Sequence, residues 1–286
     1  MKIVTDSTSD LPEEIVEEYG IEIVPLTVRL GDKVFRDYYD VSPAEFYQML
    51  RETDDFPRTS QPSVEEFIST YKKIGDKEDI ISIHISTKMS ATAQSASLAL
   101  QQLPGWKVGV IDSGLVSVGL GILVIEAAKA AKAGADAREV FGLVERLMSK
   151  IKVYFSVDSL DFLQKGGRIG RAAAFLGTML KIKPLLDVSG GIVSPVEKLR
   201  GTSKLIGRMV DIVKEDSSKH GDIVAGFIYG ESEENVSNLI SQLSNSVKYT
   251  ELYRRNIGTV ITSHAGPTAF AIGYYCKNDE ERDNNG

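Results

Sequence analysis

The sequence predicts an α/β protein in two parts: an α/β/α unit on a mainly parallel sheet, then an α/β unit on a mixed sheet. Three observations carry this. Short apolar runs alternate with capped amphipathic stretches through the first half, the pattern changes near residues 150–152, and the second half mixes helices with a glycine-turned hairpin. Alternating strands and helices pack as a parallel sheet covered on both faces, because parallel neighbours need long crossovers. Hairpins mixed with helices suggest a mixed sheet covered on one face. The expected boundaries are 1–150, 151–277, and a disordered tail at 278–286.

The elements follow in order. Residues 2–5 read as a short buried strand that ends in DSTSD. A helix is expected over 11–19, with Asp10 and Glu13 at capping-box spacing, Pro12 in its first turn and Gly20 as its stop. Strand 22–30 comes next, turned by Gly31-Asp32 into Val34-Phe35. Ser42, Pro43 and Glu45 start a second helix, and Ser63 with Glu66 a third. An apolar strand over 79–85 leads to a helix opened by Ser90 and ending near 103. Strand 108–111, a long helix to 133 and a helix capped by Asp136 and Glu139 complete the first half. The second half reads as strand 153–157, a glycine-broken helix over 160–181, a hairpin turned at Gly190-Gly191, helix 203–216, strand 223–229, helix 233–246 and the final strands. VITSHAGPTAFAIGYY, residues 260–275, reads as strand, tight turn and strand, with His264 in the turn.

Composition excludes several classes of function. The chain has 286 residues, 42% hydrophobic and 26% charged, as a globular protein does. No apolar run reaches the ~18 residues of a membrane span, and the start lacks the features of a signal peptide, so a cytoplasmic protein is expected. Cys276 is the single cysteine, which excludes an intrachain disulfide and a cysteine-rich zinc site. A net charge of -7 argues against a nucleic-acid partner. There is no phosphate-binding P-loop, no dinucleotide fingerprint and no G-x-S-x-G elbow; Gly119 and Gly121 fall inside a helix.

Hydroxyl-rich loops are the positive signal: TDSTSD after the first strand, TSQPS before a helix, and STKMSATAQS between a strand and a helix. Ligands of open parallel sheets sit beyond the carboxyl ends of the strands. Ser7, Thr8, Thr59, Ser60, Ser86 and Ser90 are therefore expected on one rim. The amides of Ala91 and Thr92 would add donors at a helix start, suiting a carboxylate or phosphate. The competing reading is that these hydroxyls only cap helices. LQKGGRIGRAAAFLGTMLKIKP is the second signal: Gly166-Gly167 breaks the chain, Arg168 and Arg171 follow, and the small residues Ala172, Ala173, Ala174 and Gly177 would let a helix or a ligand approach the backbone. It carries too few lysines for a firm interfacial helix, which leaves a transient membrane contact open. His84 reads as a core histidine and His220 as a solvated loop residue.

With VTDSTSDLP, RTSQPS, STKMSATAQSA, VIDSGLVSVGLG, DSLDFLQKGGRIG, KPLLDVSGGIVSPVEKLRG and SHAGPTA in this order, the chain resembles the DegV family of bacterial fatty-acid-binding proteins along nearly its whole length. The resemblance implies two α/β domains with a long-chain fatty acid between and within them. Its carboxylate would be held by Thr59, Ser60, Ser90 and His264, with Ala91 and Arg168 near the head group. Some members are the lipid-carrying subunit of fatty acid kinase. They present the acid to an ATP-binding kinase subunit that makes acyl phosphate for phospholipid metabolism. Arg200, in KLRG, matches a basic position linked to docking of that subunit. No cofactor and no metal is implied, and the chain itself would be non-catalytic. Two rivals remain: a lipid transport or sensing protein without a kinase, and a hydrolase using Ser90 and His264 with Asp6 or Asp112 to orient the ring.

Overall fold

The computed structural model describes residues 1–177 and 182–277. The chain runs β1 (Lys2–Asp6), a 3-10 turn (Ser7–Ser9), α1 (Glu13–Tyr19), β2 (Glu22–Val24), β3 (Thr27–Leu30), β4 (Lys33–Arg36), α2 (Pro43–Arg51), β5 (Arg58–Ser60), α3 (Val64–Ile74), β6 (Ile80–His84), α4 (Thr92–Gln101), β7 (Val108–Asp112), α5 (Val118–Lys132) and α6 (Ala137–Met148). It continues with β8 (Lys152–Ser156), α7 (Asp161–Lys165), a 3-10 segment (Gly170–Phe175), β9 (Lys183–Ser189), β10 (Ile192–Leu199), α8 (Thr202–His220), β11 (Ile223–Tyr229), α9 (Glu234–Ser244), β12 (Tyr249–Asn256), α10 (Thr259–Ala265) and β13 (Phe270–Cys276).

The first sheet is fully parallel, in the order β2-β1-β6-β7. Strand alternation splits its side chains between two cores. Val4 and Ile80 pack towards Phe67 and Tyr71 of α3 and the alanines of α4. Ile3, Ile81 and Ile83 pack towards α5 and α6. The capping boxes expected at Ser42/Glu45, Ser63/Glu66 and Asp136/Glu139 all form. The one expected at Asp10/Glu13 does not: Pro12 is the N-cap of α1, and Asp10 turns inward in a left-handed conformation (φ 50°). The strand expected over 22–30 is two strands. Pro25, which has no N–H to give a ladder, separates β2 from β3. β3 instead centres a small antiparallel sheet, β4-β3-β5.

The second sheet is mixed, in the order β10-β9-β8-β13-β11-β12, with only β11 and β12 parallel. Helices α8 and α9 cover one face. The other face is covered too, which corrects the expected one-sided packing: α5 of the first half lies against it, beside Val224, Ile228, Ala271 and Tyr275. The seat for α5 is a glycine pair. Gly226 and Gly273 oppose each other on β11 and β13, and a Cβ at either would crowd Val118.

Two further expectations are corrected. The helix expected over 160–181 stops at Lys165, because Gly166-Gly167 turns the chain, and resumes only as the 3-10 segment. Residues 178–181 lie outside the described residues, as does the 278–286 tail. Residues 259–265 are the helix α10 and not a strand. The β-branched run Val260, Ile261, Thr262 favours a strand locally. A distant carboxylate overrides it: Asp37 accepts hydrogen bonds from Thr259 N (2.8 Å), Thr259 Oγ1 (2.7 Å) and Val260 N (3.4 Å). An acidic group at a helix N-terminus satisfies otherwise unpaired amides. His220 ends α8 and is half-buried, where a solvated loop was expected. Among the described residues no helix is long and apolar enough to cross a membrane.

Candidate functional site

A narrow cavity lies where the two halves meet. It encloses about 110 Å³ of free volume. Its walls come from β8, β9, β10, β11 and β13 on one side, and from α10, the 85–90 loop and the approach to α5 on the other. Sixteen of its 22 lining side chains are apolar, among them Phe155, Leu163, Val193, Ile228 and Ala271. The six polar ones are Thr59, Gln61, Ser90, Ser117, Arg168 and His264. Ser117 Oγ already donates to Asp10, so five remain for a ligand. Such a lining fits an amphiphile with a long apolar body and a single polar end.

His264 sits in the last turn of α10, and its Nε2 lies 2.8 Å from Thr59 Oγ1 on β5. Nδ1 is buried with no hydrogen-bond partner. The ring reaches this position because residue 166 is glycine: a Cβ there would collide with Nδ1. Burial, and next the Arg168 charge, lower the imidazole pKa from 6.5 to about 4. The ring is therefore neutral at pH 7. A bare buried acceptor costs less than a bare N–H, which assigns the proton to Nε2. His264 then donates to Thr59, and the Thr59 hydroxyl proton is free to point at a ligand oxygen.

The other rim groups follow from their elements. Helix α4 starts at Thr92 with Ala91 as N-cap and no side chain closing it. Ser90 Oγ lies 2.9 Å from Thr92 Oγ1. Arg168 Nε donates to Met89 O (3.0 Å) and Nη1 to Gly166 O (2.8 Å), which holds the guanidinium at the mouth. The β9–β10 hairpin docks on the same loop: Ser86 Oγ donates to Gly191 O (2.8 Å) and Lys88 Nζ to Gly190 O (2.7 Å).

The structure thus gathers Thr59, Ser90, Arg168 and His264 on one cavity. Ser60, Ala91 and Arg200 are not among its lining residues. Thr59 and Gln61 line the cavity, while Ser60, the last residue of β5, points away from it into solvent. Arg200 is exposed just beyond β10. Of the wider hydroxyl set, Ser7, Thr8 and Ser86 are buried in structural contacts, as where Ser7 Oγ accepts from Leu26 N (3.1 Å). Gln61 and the apolar walls were not singled out from the sequence; the place of Gln61 beside Thr59 and Ser60 in TSQPS was the available signal for it.

Among the described residues no acid orients His264. Asp6 accepts from His84 and from Ile85 N (both 3.0 Å), and Asp112 accepts from Thr87 and from Gly114 N. The Ser–His–acid relay that a hydrolase would need is therefore not assembled here. Among the described residues there is no cluster of metal-ligating side chains.

Comparison with known proteins fits this architecture. The family model described as "Uncharacterised protein, DegV family" matches residues 1–277. Protein DegV of Bacillus subtilis is 34% identical over 272 residues, covering 94% of this chain and 97% of that protein. A Thermus thermophilus DegV family structure, described by its fatty acid binding, superposes with a TM-score of 0.91 at 38% identity, covering 96% of this chain and 99% of that one. The structure of a stearic acid-binding protein from Eubacterium ventriosum gives 0.89 at 28% identity, covering 98% and 99%. An α/β protein with an amphiphile-shaped cavity between a parallel and a mixed sheet is the class that the fold and site define. The chain belongs to the DegV family.

Proposed function

We propose that this protein holds one long-chain fatty acid, its tail in the cavity and its carboxylate at Thr59, Ser90 and His264, and presents that carboxylate to a separate ATP-dependent kinase subunit. One observation carries the reading: a cavity with sixteen apolar lining side chains whose uncharged donors gather around the Thr59–His264 pair. Fatty-acid binding by DegV relatives supports it. Each buried methylene contributes about 0.8 kcal/mol, so some fourteen give roughly 11 kcal/mol before the costs of ordering the tail. A head-group hydrogen bond adds only about 1–3 kcal/mol. The tail sets affinity, and the rim sets where the carboxylate stops.

A rim whose carboxylate donors, Thr59, Ser90 and His264, are uncharged suits transfer, with the Arg168 guanidinium already held by two carbonyl oxygens. It holds the carboxylate without a buried ion pair, so an oxygen can still attack the terminal phosphorus of ATP, with the P–O bond electrons leaving on the nucleoside diphosphate. Exposed Arg200 is proposed to dock the kinase. Arg200→Ala should slow a reconstituted kinase reaction while fatty-acid affinity stays within about twofold; equal saturation curves for variant and wild type would reject that role. Native mass spectrometry of the purified protein, followed by extraction, should find one fatty acid per chain. A chain that remains lipid-free after incubation with hexadecanoate would refute the binding reading. A lipid-loaded protein that no kinase accepts would leave transport or sensing instead.

A further inference from the structure

On the outer side of the Thr59–His264 pair lies an open groove. Among the described residues Arg29, Arg58, Lys165 and Arg168 line it, with Asp55 as the one carboxylate. The groove shares Thr59, Arg168 and His264 with the apolar cavity, so the two spaces meet at the rim. Four cations against one acid is a local reversal in a chain of net charge -7.

The cations are also poorly compensated. Arg29 and Arg58 stand directly opposite each other on β3 and β5, and both are exposed. Like charges at facing positions destabilise a sheet. Among the described residues no carboxylate pairs with Arg29, Arg58, Lys165 or Arg168. Lys165 Nζ lies over the Phe56 ring, 5.7 Å from its centroid, and Arg168 is held by the two carbonyl oxygens named above. A repulsive pair kept beside a ligand mouth is explained if an anion bridges it.

We propose that this groove seats the phosphoryl group of an acyl phosphate whose tail fills the cavity. The inference rests on the lipid-binding reading and adds to it the site of the product's head. Converting a carboxylate to an acyl phosphate adds negative charge and three oxygens two bonds beyond the carboxylate oxygen. Thr59, Ser90 and His264 have little to offer that charge, whereas the forked donors of Arg29 and Arg58 suit phosphate oxygens. The groove would hold the product against loss and favour its formation over bare carboxylate.

The test compares two ligands of equal tail, hexadecyl phosphate and hexadecanoate, by titration calorimetry at low salt. Wild type should bind the phosphate more tightly, with a steeper salt dependence. The double variant Arg29→Thr/Arg58→Thr keeps strand-favouring residues on an exposed face. It should lose about tenfold or more in hexadecyl phosphate affinity while hexadecanoate affinity changes less than about twofold. Arg29→Lys/Arg58→Lys, which keeps charge but loses the fork, should fall between. Unchanged hexadecyl phosphate affinity in the double variant overturns the proposal, as does an equal loss for both ligands. A third arm measures binding to phosphatidylglycerol vesicles: a variant that loses vesicles but keeps hexadecyl phosphate would assign the arginines to a lipid surface and overturn it as well. If hexadecanoate fails to bind wild type, the lipid-binding reading itself falls, and the groove with it.

Discussion

His84 and His264 are two of the three histidines of this protein, and their surroundings differ in one respect. His84 is fully buried at the end of β6, with Nδ1 3.0 Å from Asp6, Nε2 2.7 Å from Ser82, Tyr71 OH donating to Ser82 (2.9 Å), and Phe67 edge-on to the ring. Every polar atom of that ring is used, and it lines none of the cavities described above. His264 has one partner, Thr59, one bare nitrogen, and open space on two sides. By chemistry alone, Ser82–His84–Asp6 looks more like a catalytic relay than anything around His264. It is a strut. A completed hydrogen-bond set with no void marks structure, and an incomplete set beside a void marks a site.

The largest test of that contrast is His84→Ala. It leaves the buried Asp6 carboxylate short of a partner, and should cost about 3 kcal/mol or more in denaturant unfolding, with little change in fatty-acid affinity of the folded protein. Next is the cap of the head-group helix. Asp37→Ala strips the N-terminus of α10 and should cost about 2 kcal/mol and weaken lipid binding, whereas Asp37→Asn, which can still accept from Thr259, should retain most of both. His264→Ala should change stability little and fatty-acid affinity by about 1–2 kcal/mol, roughly five- to thirtyfold. Gly166→Ala should reproduce that loss with the imidazole still present, because its methyl displaces the ring. If His264→Ala proves more damaging to stability than His84→Ala, the contrast is wrong.

Acid titration sharpens it further. Burial, with Asp10 next, raises Asp37 to about 6, so between about pH 4 and 6 the folded state binds more protons than the unfolded state, and Asp37's contribution falls as pH rises. His264, lowered to about 4, acts oppositely: the folded state resists protonation, and stability is lost as pH falls from about 6.5 towards 4. Asp37→Asn and His264→Ala should therefore tilt the stability profile in opposite directions across that window. Parallel profiles would contradict the assigned shifts.

Much of the fold was legible because its signals are local. Three capping boxes, the Gly190-Gly191 hairpin and the strand–helix alternation each need only a few neighbouring residues. What was not legible depends on distant partners. Helix α10 exists because Asp37, over two hundred residues away in the chain, caps it. Asp10 leaves its expected cap to accept from Tyr38, Ser117 and Gly258, and Asp10, Tyr38 and Ser117 are the non-glycine residues with positive φ among those described. The site divides similarly. Thr59, Ser90, Arg168 and His264 stood out as chemistry, but the apolar walls did not, since each half supplies only part of them. Gly166 was expected only to break the chain; that it also makes room for the ring of His264 depends on a partner about a hundred residues away.

The most direct measurement is a crystal structure of the protein with hexadecanoate. The account predicts a carboxylate oxygen within hydrogen-bond distance of Thr59 Oγ1 at the His264 rim, with the methylenes running between Phe155, Leu163, Ile228 and Ala271. A carboxylate at the opposite end of the cavity, or a lipid lying on the surface with the cavity closed, would contradict it.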